Sequence, residues 1–381
     1  MSHRLNPLAA AAVAALLLPL APAGAATFGS LANFDVVNDT GHTAYGFEIE
    51  IEDSLYDHAG TISSVFGYDR LFSFISNDPG AVVRYGKPTI EYIAGFGARI
   101  TYGGSIGANF TPSAPFATGG ESCWPGANTN WRATSCDHFG VSTYGSPAKT
   151  TYRWLLDNGS GSLVKQVVGV PAVNIVYTPP AAPNLPPPAP PVIQLQAQDL
   201  GQGADNVQRN QNNAFWVKII KTELSDNVHL NDLLGGNHPG ARPEIAGLDG
   251  ETEIEWQPLQ LGMVDEVTKS LDSPKPSVVY KFQFFDYLGR FDDDGYVDPQ
   301  SGKKPGQENQ MPQIDGDGQA FVMIGGQRRN LSFVGQQIAG FNANEVAPPP
   351  VPEPQTWALM LAGLLGLVWR GRLSRPPATA R

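Results

Sequence analysis

Cysteine, charge and long apolar runs are all scarce in this chain, and each scarcity excludes something. With only Cys123 and Cys136 in 381 residues, a structural zinc site lacks ligands: it wants four, usually in two close pairs, and His138 is the only other soft ligand nearby. Charged side chains make up 16% of the chain, which disfavours long solvated helices and coiled coils. Basic residues number 25 against 36 acidic, a net charge of −11. A nucleic-acid binder needs a basic face to displace counterions from phosphate, so that class is set aside. Asp137, His138 and Ser142 do not assemble into a hydrolase triad, because adjacent residues on a strand point to opposite faces. No catalytic constellation emerges, and the chain is expected to be neither an enzyme nor a carrier of a cofactor.

Glycine and proline are abundant instead, 42 and 33 residues, which favours a turn-rich all-β build. Phe47, Ile49 and Ile51 alternate with Gly46, Glu48 and Glu50, the pattern of a half-buried strand. Similar short patterns recur at 81–85, 89–94, 98–102, 151–156, 163–168 and 173–177, then at 193–197, 215–220, 253–256, 278–285, 319–324 and 332–338. Val278, Tyr280, Phe282 and Phe284 line one face of such a strand. Eight prolines fall among residues 179–191, a composition that extends as polyproline II and stays out of sheet interiors. The expectation is two antiparallel β-sandwich-like domains, 26–178 and 193–345, joined by a Pro-rich linker at 179–192; the alternative is an ordered crossover on one domain's surface.

Both ends read as addresses. Residues 1–25 run from Arg4 through the apolar Leu8 to Leu20 to the small-x-small Ala23-Gly24-Ala25, a secretory signal helix cleaved after Ala25 or Ala26. Residues 346–381 hold a proline spacer, then Val351, Pro352, Glu353 and Pro354, the apolar helix Trp357 to Trp369, and Arg370, Arg372 and Arg375. That helix reaches roughly 20 Å, short of the about 30 Å hydrocarbon core, so it suits a temporary anchor. The arginines would stay cytoplasmic and leave the body outside the inner membrane; a plain C-terminal membrane anchor is the alternative. Residues 26–352 retain 20 basic and 35 acidic side chains, because the signal takes one basic residue and the tail takes Glu353 and four arginines, so the body carries −15.

This tail resembles the PEP-CTERM sorting signal of exopolysaccharide-producing Gram-negative bacteria. The resemblance implies export through the Sec translocon, transient inner-membrane anchoring, recognition of Pro-Glu-Pro by exosortase, and delivery to the cell surface or biofilm matrix. The strings from Cys136 to Ser142, Asn38 to Gly41, Gly46 to Ile49 and Val278 to Asp292 resemble segments of other PEP-CTERM surface proteins, and add no activity.

Within the body, Cys123 and Cys136 are 13 positions apart in a chain bound for an oxidising compartment. One disulfide is expected, contributing on the order of 3 kcal/mol. Asp292, Asp294 and Asp298 around Gly295 form a candidate calcium loop outside the EF-hand register, against a solvated polar loop as the alternative. Glu48, Glu50, Glu253 and Glu255 are read as exposed polar sheet faces, and His42 as a turn residue. Trp124, Trp131 and Trp216 are candidates for stacking on sugars or for core packing. The functional expectation is a structural, adhesive or binding component of the cell surface or matrix; the alternative is a secreted carbohydrate-binding module or glycoside hydrolase acting on extracellular polysaccharide.

Overall fold

In a computed structural model, residues 28–68, 81–115, 136–143, 147–176, 192–201, 203–228, 250–261, 268–270, 277–298, 311–316 and 318–342 are described. Strand β1 (Phe28–Val37) is the hub of the largest sheet. It pairs antiparallel with β19 (Phe333–Asn342) on one side and with β6 (Cys136–Phe139) and β7 (Val141–Thr143) on the other. Outward from β19 lie β15 (Ser277–Asp286), β12 (Ala214–Leu224) and β13 (Gly250–Gln260), and β3 (Ile62–Val65) closes the other edge. A second sheet runs β4 (Thr89–Ile93), β5 (Gly97–Gly103), β2 (Ala44–Glu52), β8 (Thr150–Asp157) and β9 (Leu163–Val167). Two three-stranded sheets complete the set: β10 (Ala172–Val176), β11 (Val192–Gln196) and β14 (Thr268–Ser270), and β16 (Gln313–Ile314), β17 (Ala320–Ile324) and β18 (Gln327–Asn330). The all-β, antiparallel expectation holds.

The alternating patterns explain how these sheets face each other. Phe47, Ile49 and Ile51 are buried from β2, Ile100 and Tyr102 from β5, and Tyr152 and Trp154 from β8. They share one core with Phe34 and Val36 of β1, Phe139 of β6, Val217 and Ile219 of β12, and Val278, Tyr280, Phe282 and Phe284 of β15. Contacts between rings join the two large sheets: Phe47 stacks on Phe139 at 4.0 Å between centroids, and Phe34 lies 5.0 Å from Tyr152. A smaller core covers the other face of the large sheet, where Val37, Trp216, Phe285 and Phe333 meet Ala320, Val322 and Leu331.

This arrangement corrects the expected division into two domains. The Pro-rich run at 179–191 lies between β10 and β11, which are paired from Ala172↔Gln196 to Val176↔Val192. Its two ends are therefore neighbours in one hairpin, and a segment whose ends are pinned together does not space two domains apart. β1, from the first expected domain, pairs with β19, from the second, so the two stretches share a sheet and a core. The described residues, 28 to 342, belong to one compact unit. The expected signal helix, Pro179 to Pro191 and everything after Asn342 lie outside the described residues.

A second correction concerns Ala81–Tyr85, read as a strand and found as a short helix, α1. Five residues with two adjacent valines carry too little periodicity to separate the two states. Gly86 decides it: at φ +80° it supplies the left-handed residue that ends a helix, and its N–H closes the turn on the Val82 carbonyl at 2.8 Å. A second short helix, α2, spans Asn206–Asn212, with Asp205 capping the Gln208 N–H.

Candidate functional site

Strand β6 concentrates the ionisable chemistry of the interior. Its alternation sends Asp137 to one side and His138 to the other, as neighbours on a strand must go. Asp137 is fully buried, with its Oδ1 2.6 Å from Arg84 Nε and its Oδ2 accepting from Tyr85 Oη at 3.1 Å. Both partners come from α1, so the helix end fixed by Gly86 places the cation. Burial pushes the Asp137 carboxyl up to about 6, although Arg84, Tyr85 and Ser113 all favour the charged form. The same burial, together with the Asp137 charge, drives the Tyr85 hydroxyl well above the usual phenol range.

On the opposite face, register aligns a polar row across five strands. Lys218 of β12 stands opposite Gln283 of β15, Gln283 opposite Gln336 of β19, Gln336 opposite Asp35 of β1, and Asp35 opposite His138. Gln283 donates to Gln336 at 3.3 Å, Gln336 donates to Asp35 Oδ2 at 2.5 Å, and His138 Nδ1 meets Asp35 Oδ1. Gln283, Gln336 and Asp35 are at most 3% exposed. A buried polar row of this kind favours one strand register, since a one-residue slip of β15 would set Lys218 and Gln336 against Phe282 or Phe284.

A third charged group corrects the reading of Glu48 and Glu50 as an exposed face. Both are buried. Arg153 Nη1 bridges them, 3.1 Å from Glu48 Oε1 and 2.6 Å from Glu50 Oε1. Arg99 reaches Glu50 at 2.8 Å and Lys165 reaches Glu48 at 2.7 Å. The long cationic side chains lie across the sheet and cover the carboxylates. Burial pushes the Glu50 carboxyl up, but bonds from Arg99 and Arg153 outweigh it and hold the group below its ordinary value. Two carboxylates so clamped do not offer the free acid and base that glycoside hydrolysis needs.

The remaining candidates disperse. Asp292 commits Oδ1 to the N–H groups of Asp294 and Tyr296, at 3.0 and 2.8 Å. That is a turn-closing role, and among the described residues no three metal-ligating side chains come together. Asp292, Asp294 and Asp298, the expected calcium loop, are not gathered into such a group in this structure. His42 sits in a turn whose carbonyl accepts from Asn38 Nδ2 at 2.9 Å. Trp216 is fully buried beside Tyr287, so it packs the smaller core instead of meeting sugar. Glu253 keeps its place on an exposed face, at 79%. Trp124 and Trp131 lie outside the described residues, as does Cys123. Cys136 opens β6 opposite Val37, and no disulfide occurs among the described residues.

Sequence reasoning passes over two features. The letters Gly103-Gly104-Ser105-Ile106-Gly107 match a Gly-x-Ser-x-Gly string, but the chain leaves β5 there into a turn with no helix after it, so the strand–turn–helix of a nucleophile elbow is missing. Asp35 gave no signal either, because its role comes from register with residues 103 and 301 positions away.

The sorting residues Val351, Pro352, Glu353 and Pro354 and the basic cluster Arg370, Arg372 and Arg375 lie outside the described residues, and no helix among the described residues is long and apolar enough to cross a membrane. Residues 350–372 match the family model of the PEP-CTERM protein-sorting motif. The chain carries a PEP-CTERM sorting motif, which supports an exported protein sorted by exosortase and associated with the cell surface. No curated protein and no solved structure matches it.

Proposed function

We propose that this protein is a non-enzymatic component of the cell surface or biofilm matrix, with a structural, adhesive or binding role. It passes the Sec translocon by its N-terminal signal, rests in the inner membrane by the apolar Trp357 to Trp369, and is released when exosortase acts at Pro352-Glu353-Pro354. The sorting motif at 350–372 carries the reading. One feature supports it: the ionisable groups on both faces of β6 and across β2 are committed to one another. Exchanging Glu353→Ala in the native host and fractionating the cells tests the sorting step. Full-length protein retained in the inner membrane is expected; unchanged delivery to the surface would overturn it.

A further inference from the structure

Most large aromatic side chains among the described residues go inside: Trp154, Trp216, Tyr102, Tyr152, Phe47 and Phe139 are all at most 1% exposed. Tyr68, Phe110 and Tyr296 break the pattern at 49%, 39% and 38%, and the first two both attach to one short stretch, Gly86-Lys87-Pro88. A Cβ on Gly86 would lie 2.7 Å from Phe110 Cε1, so the Phe110 ring rests on bare backbone with no room for a side chain beneath it. Next in the chain, Lys87 sets Nζ 4.3 Å from the centre of the Tyr68 ring. The turn carrying Tyr68 is itself pressed onto α1. A Cβ on Gly67, at φ +76°, would fall 2.0 Å from Val82 Cγ2, and Pro88 Cδ closes the same contact at 3.5 Å. Two left-handed glycines therefore hold a ring, an ammonium and a second ring at one surface corner.

Leaving two rings partly in water forgoes some of the stabilisation that burying apolar surface supplies. We infer that this corner binds a neutral polysaccharide, with Tyr68 and Phe110 stacking on sugar rings and Lys87 donating to hydroxyl oxygens between them. Ring faces suit the C–H faces of sugars as they suit other apolar surfaces, the ammonium has three donors, and the glycine-seated rings are ordered before the ligand arrives, which lowers the entropy lost on binding. Charge selects the kind of polymer. The body carries −15 and repels an anionic chain, and Lys87 beside the rings is a single cation. The inference deepens the binding role proposed above and rests on that reading for where the ligand is met; the binding itself belongs to the folded chain and is measured without sorting.

Affinity electrophoresis of the purified full-length protein through native gels containing dextran, laminarin, mannan or alginate is the test. Retardation by at least one neutral polymer, weakened about tenfold by Phe110→Ala and by Tyr68→Ala and about threefold by Lys87→Ala, is expected. Phe110→Tyr, which keeps the ring, should retain binding, and an unchanged melting temperature separates lost binding from lost folding. Migration unaffected by all neutral polymers, retardation by alginate alone, or alanine variants retarded like the parent would each overturn the inference, whatever the fate of the sorting signal.

Discussion

Asp137 and Glu50 are both carboxylates bonded to arginine, and they couple to pH with opposite signs. The Asp137 carboxyl is raised by burial to about 6, so the folded state holds a proton that the unfolded chain has already released. Its contribution therefore weakens stability as pH rises from about 4 to about 6, by at most about 1.4 kcal/mol per pH unit. Glu50 is lowered; the stability it contributes is present above its unfolded value and is lost as pH falls through its folded one, below 4.5. Denaturant melts from pH 3.5 to 7 check this: Asp137→Asn should flatten the slope between 4 and 6, and Glu50→Gln should flatten only the acid end. A variant of Asp137 with the parent's slope would contradict the assignment. At this scale the sequence was partly legible. The Asp137 and His138 split across a strand follows from alternation alone, whereas Glu48 and Glu50 looked exposed because the arginines and lysine that cover them lie 49 to 117 positions away.

Elements divided by how much of their pattern was local. β2 and β15 alternate cleanly, and both were placed from that alone. β1 was not, because Phe28–Val37 has no regular alternation and pairs with β19 through two register shifts. α1 was misread for its brevity. Strand β6, four residues long, gave no β pattern of its own, yet it holds the partners of Arg84, Tyr85 and Asp35. The Cys123–Cys136 bond, proposed from spacing and compartment, would tie the segment before β6 to its first residue. Non-reducing peptide mapping of exported protein should recover the cross-linked pair, and reduction should lower stability on the order of 3 kcal/mol; two free thiols in freshly exported protein would contradict it.

For the whole molecule, composition disclosed the class and the C-terminal motif disclosed export, while topology stayed hidden. Proline density at 179–191 marks a segment unfit for a sheet interior, and nothing in that composition tells a tether between domains from the connection of a hairpin. The pairing of Val176 with Val192 does. A single folded unit sharing one large sheet predicts one cooperative calorimetric transition for the body, with van't Hoff and calorimetric enthalpies in agreement; two resolved transitions, one for each side of the proline run, would contradict it. The claim that organises the rest is that the chain leaves the cell by way of its C-terminal motif. Intact mass of the protein recovered from outside the inner membrane of its native host addresses this most directly. The account predicts a mass lacking residues 1–25 and everything beyond the Pro-Glu-Pro region, and a mass that retains Trp357 to Arg381 would contradict it.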